Sequence, residues 1–479
     1  MDRNTQRRSL SSQLYAAART GILCLTAFHF GCVDQTANAA EPFLGMESAA
    51  EPSEPVGNEA IYRELQRLQS QIDSLQAAPA DPIIYCEAPQ EKPKYPTARL
   101  TGFFQADIAW FGQDENNRRT LGNGNLVNGD LQDGADFRRA RLAAVGDAWD
   151  NVSYMLEMDF AFPGRPSFMD VWLDIDDVVG KNNLRIGQFR QPFGMDGQTG
   201  VKDLTFLERA LPFAFSPFRQ IGAMGYGNSD DQLRTWAASV YRFPTGPYGG
   251  NVGDNGGYGI SARTTALLID NGDQHGLFHL GGGYSFIDPA NDAVQYRSQP
   301  EIFISESGGA VLPLVPAEVL PFVDTGPVAV DHVNLFNFEL AASRGPLHAQ
   351  SEIVYAAVQQ RGNPSVSLPG AYVQAGYVLT GESRSYNRQN GVFGRVNPKC
   401  SVGKQGGIGA WEIATRWSYL DLTDANVLGG RLNDVTLGLN WYLNPRTKFQ
   451  WNYIHAMLDN PIYGDSEADV YAMRAQVDF

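Results

Sequence analysis

The chain has 479 residues, a formal net charge of -16, 43% hydrophobic residues and 11% aromatic ones, with a mean hydropathy of -0.28. So acidic a chain is a poor partner for nucleic acid, and this hydropathy does not mark a helical membrane protein. The 50 glycines together with the aromatics fit a protein of strands and turns.

The first segment reads as an export signal over 1–39. Arg3, Arg7, Arg8 and Arg19 form a basic stretch, residues 21–30 a short apolar core, and Ala37-Asn38-Ala39 a cleavage site. The core is far shorter than the ~20 residues of a spanning helix, and no later apolar run reaches that length. A lipoprotein signal at Cys32 is the alternative, and His29 and Phe30 fit it poorly. Residues 40–57, rich in Ala, Glu and Pro, form a disordered lead-in. In 58–76, Ile61, Leu65, Leu68, Ile72 and Leu75 follow a heptad spacing, which predicts a short coiled-coil helix. A single amphipathic helix packed on its own domain would show the same seam. Residues 77–96 are a Pro-rich linker.

From Thr97 the pattern changes to period 2. In one segment Val152, Tyr154, Leu156, Met158 and Phe160 alternate with Ser153, Met155, Glu157 and Asp159. In another, Trp411, Ile413, Thr415, Trp417 and Tyr419 oppose Glu412, Ala414, Arg416 and Ser418. In a third, Val435, Leu437, Leu439 and Trp441 oppose Asp434, Thr436, Gly438, Asn440 and Tyr442. A soluble sandwich gives the same alternation. Mid-strand charges on the polar face, and aromatics near strand ends (Trp411, Trp417, Tyr419, Trp441, Tyr442), favour an all-β transmembrane barrel.

Sixteen antiparallel strands are predicted: 97–112, 136–148, 151–162, 168–177, 183–193, 220–228, 233–243, 257–269, 276–288, 333–343, 347–360, 371–386, 408–422, 432–443, 447–458 and 469–479. Short turns alternate with long loops near 113–135, 195–219, 289–332 and 362–370, as in barrels with short periplasmic turns and long outer loops. Two connections break that rhythm: 163–165 is short on the outer side, and 387–407 is long on the inner one. The last segment, with Tyr471, Met473, Ala475, Val477 and Phe479 on one face, is expected to pair with the first and leave no edge to lipid.

The stretches DFRRARLAAVGDAWDNVSYMLEMDFA, LRIGQFRQPFG, LTFLERALPFAFSPFRQIGAM, GAWEIATRWSYLDL and VTLGLNWYLNP resemble the phosphate-selective porin O and P family. That resemblance implies a homotrimeric sixteen-stranded channel in the bacterial outer membrane, passing small solutes and phosphate or polyphosphate past basic lumen residues. If Ala140, Leu142 and Ala144 face lipid, Arg139 and Arg141 face the lumen and Arg138 sits near the outer rim. An infolded 195–219 loop would bring Lys202, Arg209 and Arg219. Arg190, Arg263, Arg416 and Arg474 are further lumen candidates. For each arginine the alternative is a structural ion pair with Glu157, Asp159, Asp170, Asp174, Glu352 or Glu412, for instance Arg416 with Glu412; the channel is then a general porin.

Cys24 and Cys32 leave with the signal. Cys86 and Cys400 fall on the same side of the barrel, where a disulfide could tie linker to rim. No C-x-x-C pair indicates zinc, and DNGDQHG (270–276) lacks the glutamate of a calcium loop, so neither metal nor cofactor is read. GNGNLVNG (122–129) and GDNGGYG (253–259) read as turns. His455 has no serine motif beside it, so no enzyme is indicated. The competing class is an exported adhesin or envelope protein on a coiled-coil stalk.

Overall fold

The computed structural model describes residues 58–77 and 95–479, apart from 162–164, 252, 254–255, 273–275, 305–318 and 404–405. The export signal, the lead-in and nearly all of the linker lie outside the described residues. Two units result, Met1–Gln90 and Glu91–Phe479. In the first, helix α1 spans Asn58–Ala77. Leu65 and Leu68 of its heptad seam are exposed on the lone chain, and Glu59 and Arg63 pair at 3.6 Å along it.

The second unit is a closed antiparallel barrel. Its strands are β1 (Arg99–Gln113), β2 (Gly134–Trp149), β3 (Val152–Asp159), β4 (Ser167–Val179), β5 (Asn182–Arg190), β6 (Arg219–Asn228), β7 (Arg234–Arg242) and β8 (Tyr258–Asp270). They continue as β9 (Leu277–Asp288), β10 (Val328–Arg344), β11 (Leu347–Gln360), β12 (Val366–Val378), β13 (Ala410–Asp424), β14 (Val427–Asn444), β15 (Thr447–Asn460) and β16 (Gly464–Asp478). Each pairs with its sequence neighbours, and β16 closes on β1 with Trp110 opposite Tyr471. Gly102 and Phe479 exchange two backbone hydrogen bonds at 3.0 Å to finish the seam. No helix among the described residues is long and apolar enough to cross a membrane. The strands cross instead, with every ladder bond satisfied internally.

Alternation sorts the side chains as expected. Leu156, Phe160, Ile413, Trp417 and Leu437 point outward, while Glu157, Asp159, Glu412, Arg416 and Asp434 are buried inside. Tyr442 departs from the predicted aromatic girdle. It lies on the inner face and donates to Glu412 at 2.7 Å. On the outside, Trp411, Trp441 and Phe449 stack at 5.0 and 6.0 Å near the rim that holds the short turns.

The interior is not an open tube. Segment 191–218, between β5 and β6, folds inward from the outer rim, and so does part of 289–327. Their Leu207, Leu211, Phe215, Ile302, Ile304 and Phe322 pack with inward residues of β10–β16 such as Leu335, Val354, Leu368, Leu420, Ile454 and Val470. One half of the barrel therefore contains a dry hydrophobic core. From the opposite rim a third segment enters. Residues 384–387 and 392–396 form a two-stranded ribbon, with Phe393 and Tyr386 packed among Leu267, Leu277 and Ala341. This corrects the predicted strand 371–386, which ends at Val378. It also explains why the turn-side connection near 387–407 is long.

Candidate functional site: an off-centre basic lumen

Segment 191–218 is held against one wall, which decides where water can pass. Glu352 on β11 accepts from the backbone amides of Met195 (3.0 Å) and Asp196 (2.6 Å). Asn440, Lys448 and Gln450 donate to the carbonyls of Thr205, Leu204 and Thr205 at 2.8, 3.0 and 3.0 Å. The amide of Leu211 donates to Ser418 at 2.9 Å. These side chains on β11 and β13–β15 pull the segment across the barrel, leaving space along β2–β8.

That space forms two cavities. The outer one is about 480 Å3 and is lined by Arg138, Arg139, Arg141, Arg209, Arg219 and Arg297 together with Asp136, Asp159, Glu208 and Glu301. The inner one is about 590 Å3 and is lined by Arg185, Arg190 and Arg263 together with Asp170 and Asp176. Arginines outnumber carboxylates in both, although the chain as a whole is acidic. Between the cavities Arg190 and Arg219 stand opposite each other in the β5–β6 ladder, an arrangement of like charges that destabilises a bare sheet.

Three local devices place these charges. The first is a β-bulge: Gln105 pairs with Arg139 and Ala106 with Phe137, so Arg138 is the extra residue. Phe137 consequently turns outward and Arg138 turns in, instead of sitting at the rim. The second is Glu208, which receives Arg138, Arg139 and Arg474 at 3.0, 2.8 and 2.7 Å. Burial alone would raise its carboxyl. The three guanidiniums outweigh burial and hold it well below the ordinary carboxylate range. The third is Phe218, at φ 48° in the left-handed region, whose ring has Arg219, Arg209 and Arg190 at 4.7, 5.1 and 5.9 Å.

The arginines differ in how far they are neutralised. Arg141 pairs with Asp159 at 2.7 Å, and Arg219 with Asp170 at 2.7 Å. Arg474 pairs with Asp107 at 2.6 Å, and Arg263 with Glu339 at 2.9 Å. Arg190 instead donates to the carbonyls of Gln198 and Thr199 at 2.9 and 3.1 Å. Arg209 donates to those of Asp196 and Thr199 at 2.8 and 2.6 Å. A carbonyl partner fixes a guanidinium without cancelling its charge.

Three expected pore residues are placed elsewhere, among them Arg474, which is fully buried between Asp107 and Glu208 and lines neither cavity. Arg416 bonds Glu301 with its Nε at 3.0 Å, not Glu412, and neither large cavity reaches it. Glu412 contacts His348 Nε2 at 2.5 Å. Lys202 holds its ammonium 5.8 Å from the Phe103 ring, also outside both cavities. Cys400 is exposed, and its expected partner Cys86 lies outside the described residues. The alternation puts Arg138 near the outer rim instead of in the lumen, because a bulge leaves no mark in one strand's pattern. Glu208, Arg297 and Glu301 were missed because they sit in loops. The apolar run Ile302-Phe303-Ile304 beside two of them was the available signal for an infolded loop.

The sequence model of the phosphate-selective porin O and P family matches residues 114–479. Porin O of Pseudomonas aeruginosa is 26% identical over 375 residues, 74% of this chain and 84% of that protein. An uncharacterized protein of Caulobacter vibrioides is 26% identical over 495 residues, 94% of each. Among solved structures, the anion-selective porin from Comamonas acidovorans aligns over 80% of this chain and 100% of its own, at 12% identity and a TM-score of 0.46. With a family match running from the end of the first strand to the last residue, and a closed sixteen-stranded barrel around a polar lumen, the chain belongs to the phosphate-selective porin O and P family of outer-membrane porins.

Proposed function

We propose that the off-centre lumen is an anion-preferring diffusion path for small hydrophilic solutes, inorganic phosphate among them. One observation carries this reading: arginines exceed carboxylates in both cavities, and Arg190 and Arg219 face each other where the cavities meet. A positive potential inside a narrow low-dielectric passage raises the local anion concentration. Guanidiniums fixed by carbonyls, as at Arg190 and Arg209, keep that potential, and arginine forks match phosphate oxygens. Arg138, Arg139 and Arg141 would attract the ion at the outer end, and Arg209, Arg219 and Arg190 would pass it inward.

Single-channel recording of the purified protein in a planar bilayer tests this. In a KCl gradient the reversal potential should be anion-biased, and added phosphate should reduce the current. A cation bias, or none, would mean that the lumen carboxylates control passage. Failure to give discrete conductance steps would mean that the infolded segments close the lumen to ions.

The homotrimer belongs to the same proposal, with light scattering of detergent-purified protein giving three chains per particle. A Cys86–Cys400 bond is also proposed. Denatured protein should then take up maleimide only after reduction, and equal labelling with and without reductant would refute it.

A further inference from the structure

The outer cavity has a feature that attraction of a bare inorganic anion does not require. In the helical turn 211–215, Leu211 and Phe215 are each 1% exposed and enter the core. Phe213, between them, is less buried and lines the cavity, which Phe215 does not reach and Leu211 only borders. The same division recurs in the other infolded segment. Ile302 and Ile304 are buried in the core, whereas Phe303 lines the cavity. Phe213, Phe303 and Phe218 thus line the same cavity as the guanidiniums. Apolar side chains gathered in one hollow and rimmed by polar groups mark a ligand-binding groove.

The rings and the charges are interleaved. Arg138 lies 4.8 Å over Phe303, and Arg209 lies 4.9 Å over Phe213 and 5.1 Å over Phe218. The Nε of Arg219 is buried and has no hydrogen-bond partner among the described residues. Arg209 bonds backbone carbonyls. A volume of about 480 Å3 falls in the range of roughly 300–1,000 Å3 typical of sites for organic ligands. Apolar walls, a few convergent donors and this size describe a site for an anion with an aromatic body.

We propose that the outer cavity binds small aromatic oxyanions, with the carboxylate or phosphate group on Arg209 and Arg219 and the ring against Phe213 and Phe303. This rests on the anion-path reading and adds a substrate class to it. The guanidiniums supply charge-assisted hydrogen bonds to the oxyanion. Their planes and the phenyl faces supply stacking that an aliphatic anion of equal charge cannot use.

The test compares benzoate with acetate as blockers of single-channel KCl current through the full-length protein at pH 7. Benzoate should reach half-block at a concentration about tenfold or more below that of acetate, the size expected of one stacked ring. Phe213→Ala and Phe303→Ala should each remove most of that difference. Their reversal potential in a KCl gradient should stay anion-biased, because every guanidinium is retained. Phe303→Leu, which keeps an apolar side chain of similar size, must also raise the half-blocking concentration of benzoate. Equal block by benzoate and acetate would overturn the proposal, as would a benzoate preference that survives both alanine substitutions. The KCl reversal potential of the unmodified protein is read without benzoate, so failure of the anion path and failure of the aromatic site are separate results.

Discussion

Arg190→Gln isolates the electrostatic argument better than any other single change in the lumen. Most cavity arginines hold a carboxylate that would be left bare. Removing Arg263, for example, would strand the fully buried Glu339. Arg190 bonds only backbone carbonyls among the described residues, and glutamine still offers an amide there. The inner cavity would go from three arginines against two carboxylates to two against two. An ion passing about 8 Å from one unit charge feels about 0.5 kcal/mol through water, and more through the barrel wall; 8 Å is about the Debye length at physiological salt, so screening does not erase it. The anion loses that amount and the cation gains it. The anion-to-cation permeability ratio should therefore fall about fivefold, since about 1 kcal/mol separates the two effects. Reversal potentials in a KCl gradient measure this directly. A ratio unchanged from the unmodified channel, at unchanged conductance, would refute the assignment of Arg190 to the ion path.

Glu208→Gln should cost about 3–5 kcal/mol in the anchoring of segment 191–218, because three guanidiniums lose their shared carboxylate; a lower unfolding temperature in detergent checks it. The folded Glu208 carboxyl titrates below its unfolded value of about 4.3, so its stabilisation is present above that pH and is lost as pH falls through the folded value. Acid should therefore lower the unfolding temperature of the unmodified protein more than that of Glu208→Gln. Phe393→Ala removes a ring that is 1% exposed from the ribbon 384–396, a loss of about 3–5 kcal/mol. The ribbon should become cleavable by protease and the single-channel conductance should rise. Leu65→Asp with Leu68→Asp should abolish any self-association of a peptide covering 58–77, measured by sedimentation.

The barrel was legible because each strand carries its own two-faced pattern, and the errors fall where that pattern changes phase. Strand β10 was predicted from 333, but it begins at Val328 beyond an irregularity between Val330 and His332. Strand β14 was predicted from 432, but it begins at Val427, beyond an irregularity opposite Asp421 and Thr423. Pro369 and Gly370 read as loop, yet both lie inside β12. For the site, Arg139, Arg141, Arg190, Arg209 and Arg219 were visible as basic residues on inward positions or in a foldable loop. The partner was not visible where it comes from a distant segment: Glu208 for Arg139 on β2, and Glu301 for Arg416.

The joint between β1 and β16 has a consequence for assembly. Arg474 on the last strand faces Asp107 on the first across the closing ladder, and Glu208 completes the cluster from the infolded segment. Were the first and last strands to zip together with that segment still outside, a fully buried guanidinium would lack one of its two carboxylates, and Arg138 and Arg139 would lose theirs as well. Such a product is costly. The final stitch of the barrel thus doubles as a proofreading step, completed at low cost only when the pore's own lining is already in place.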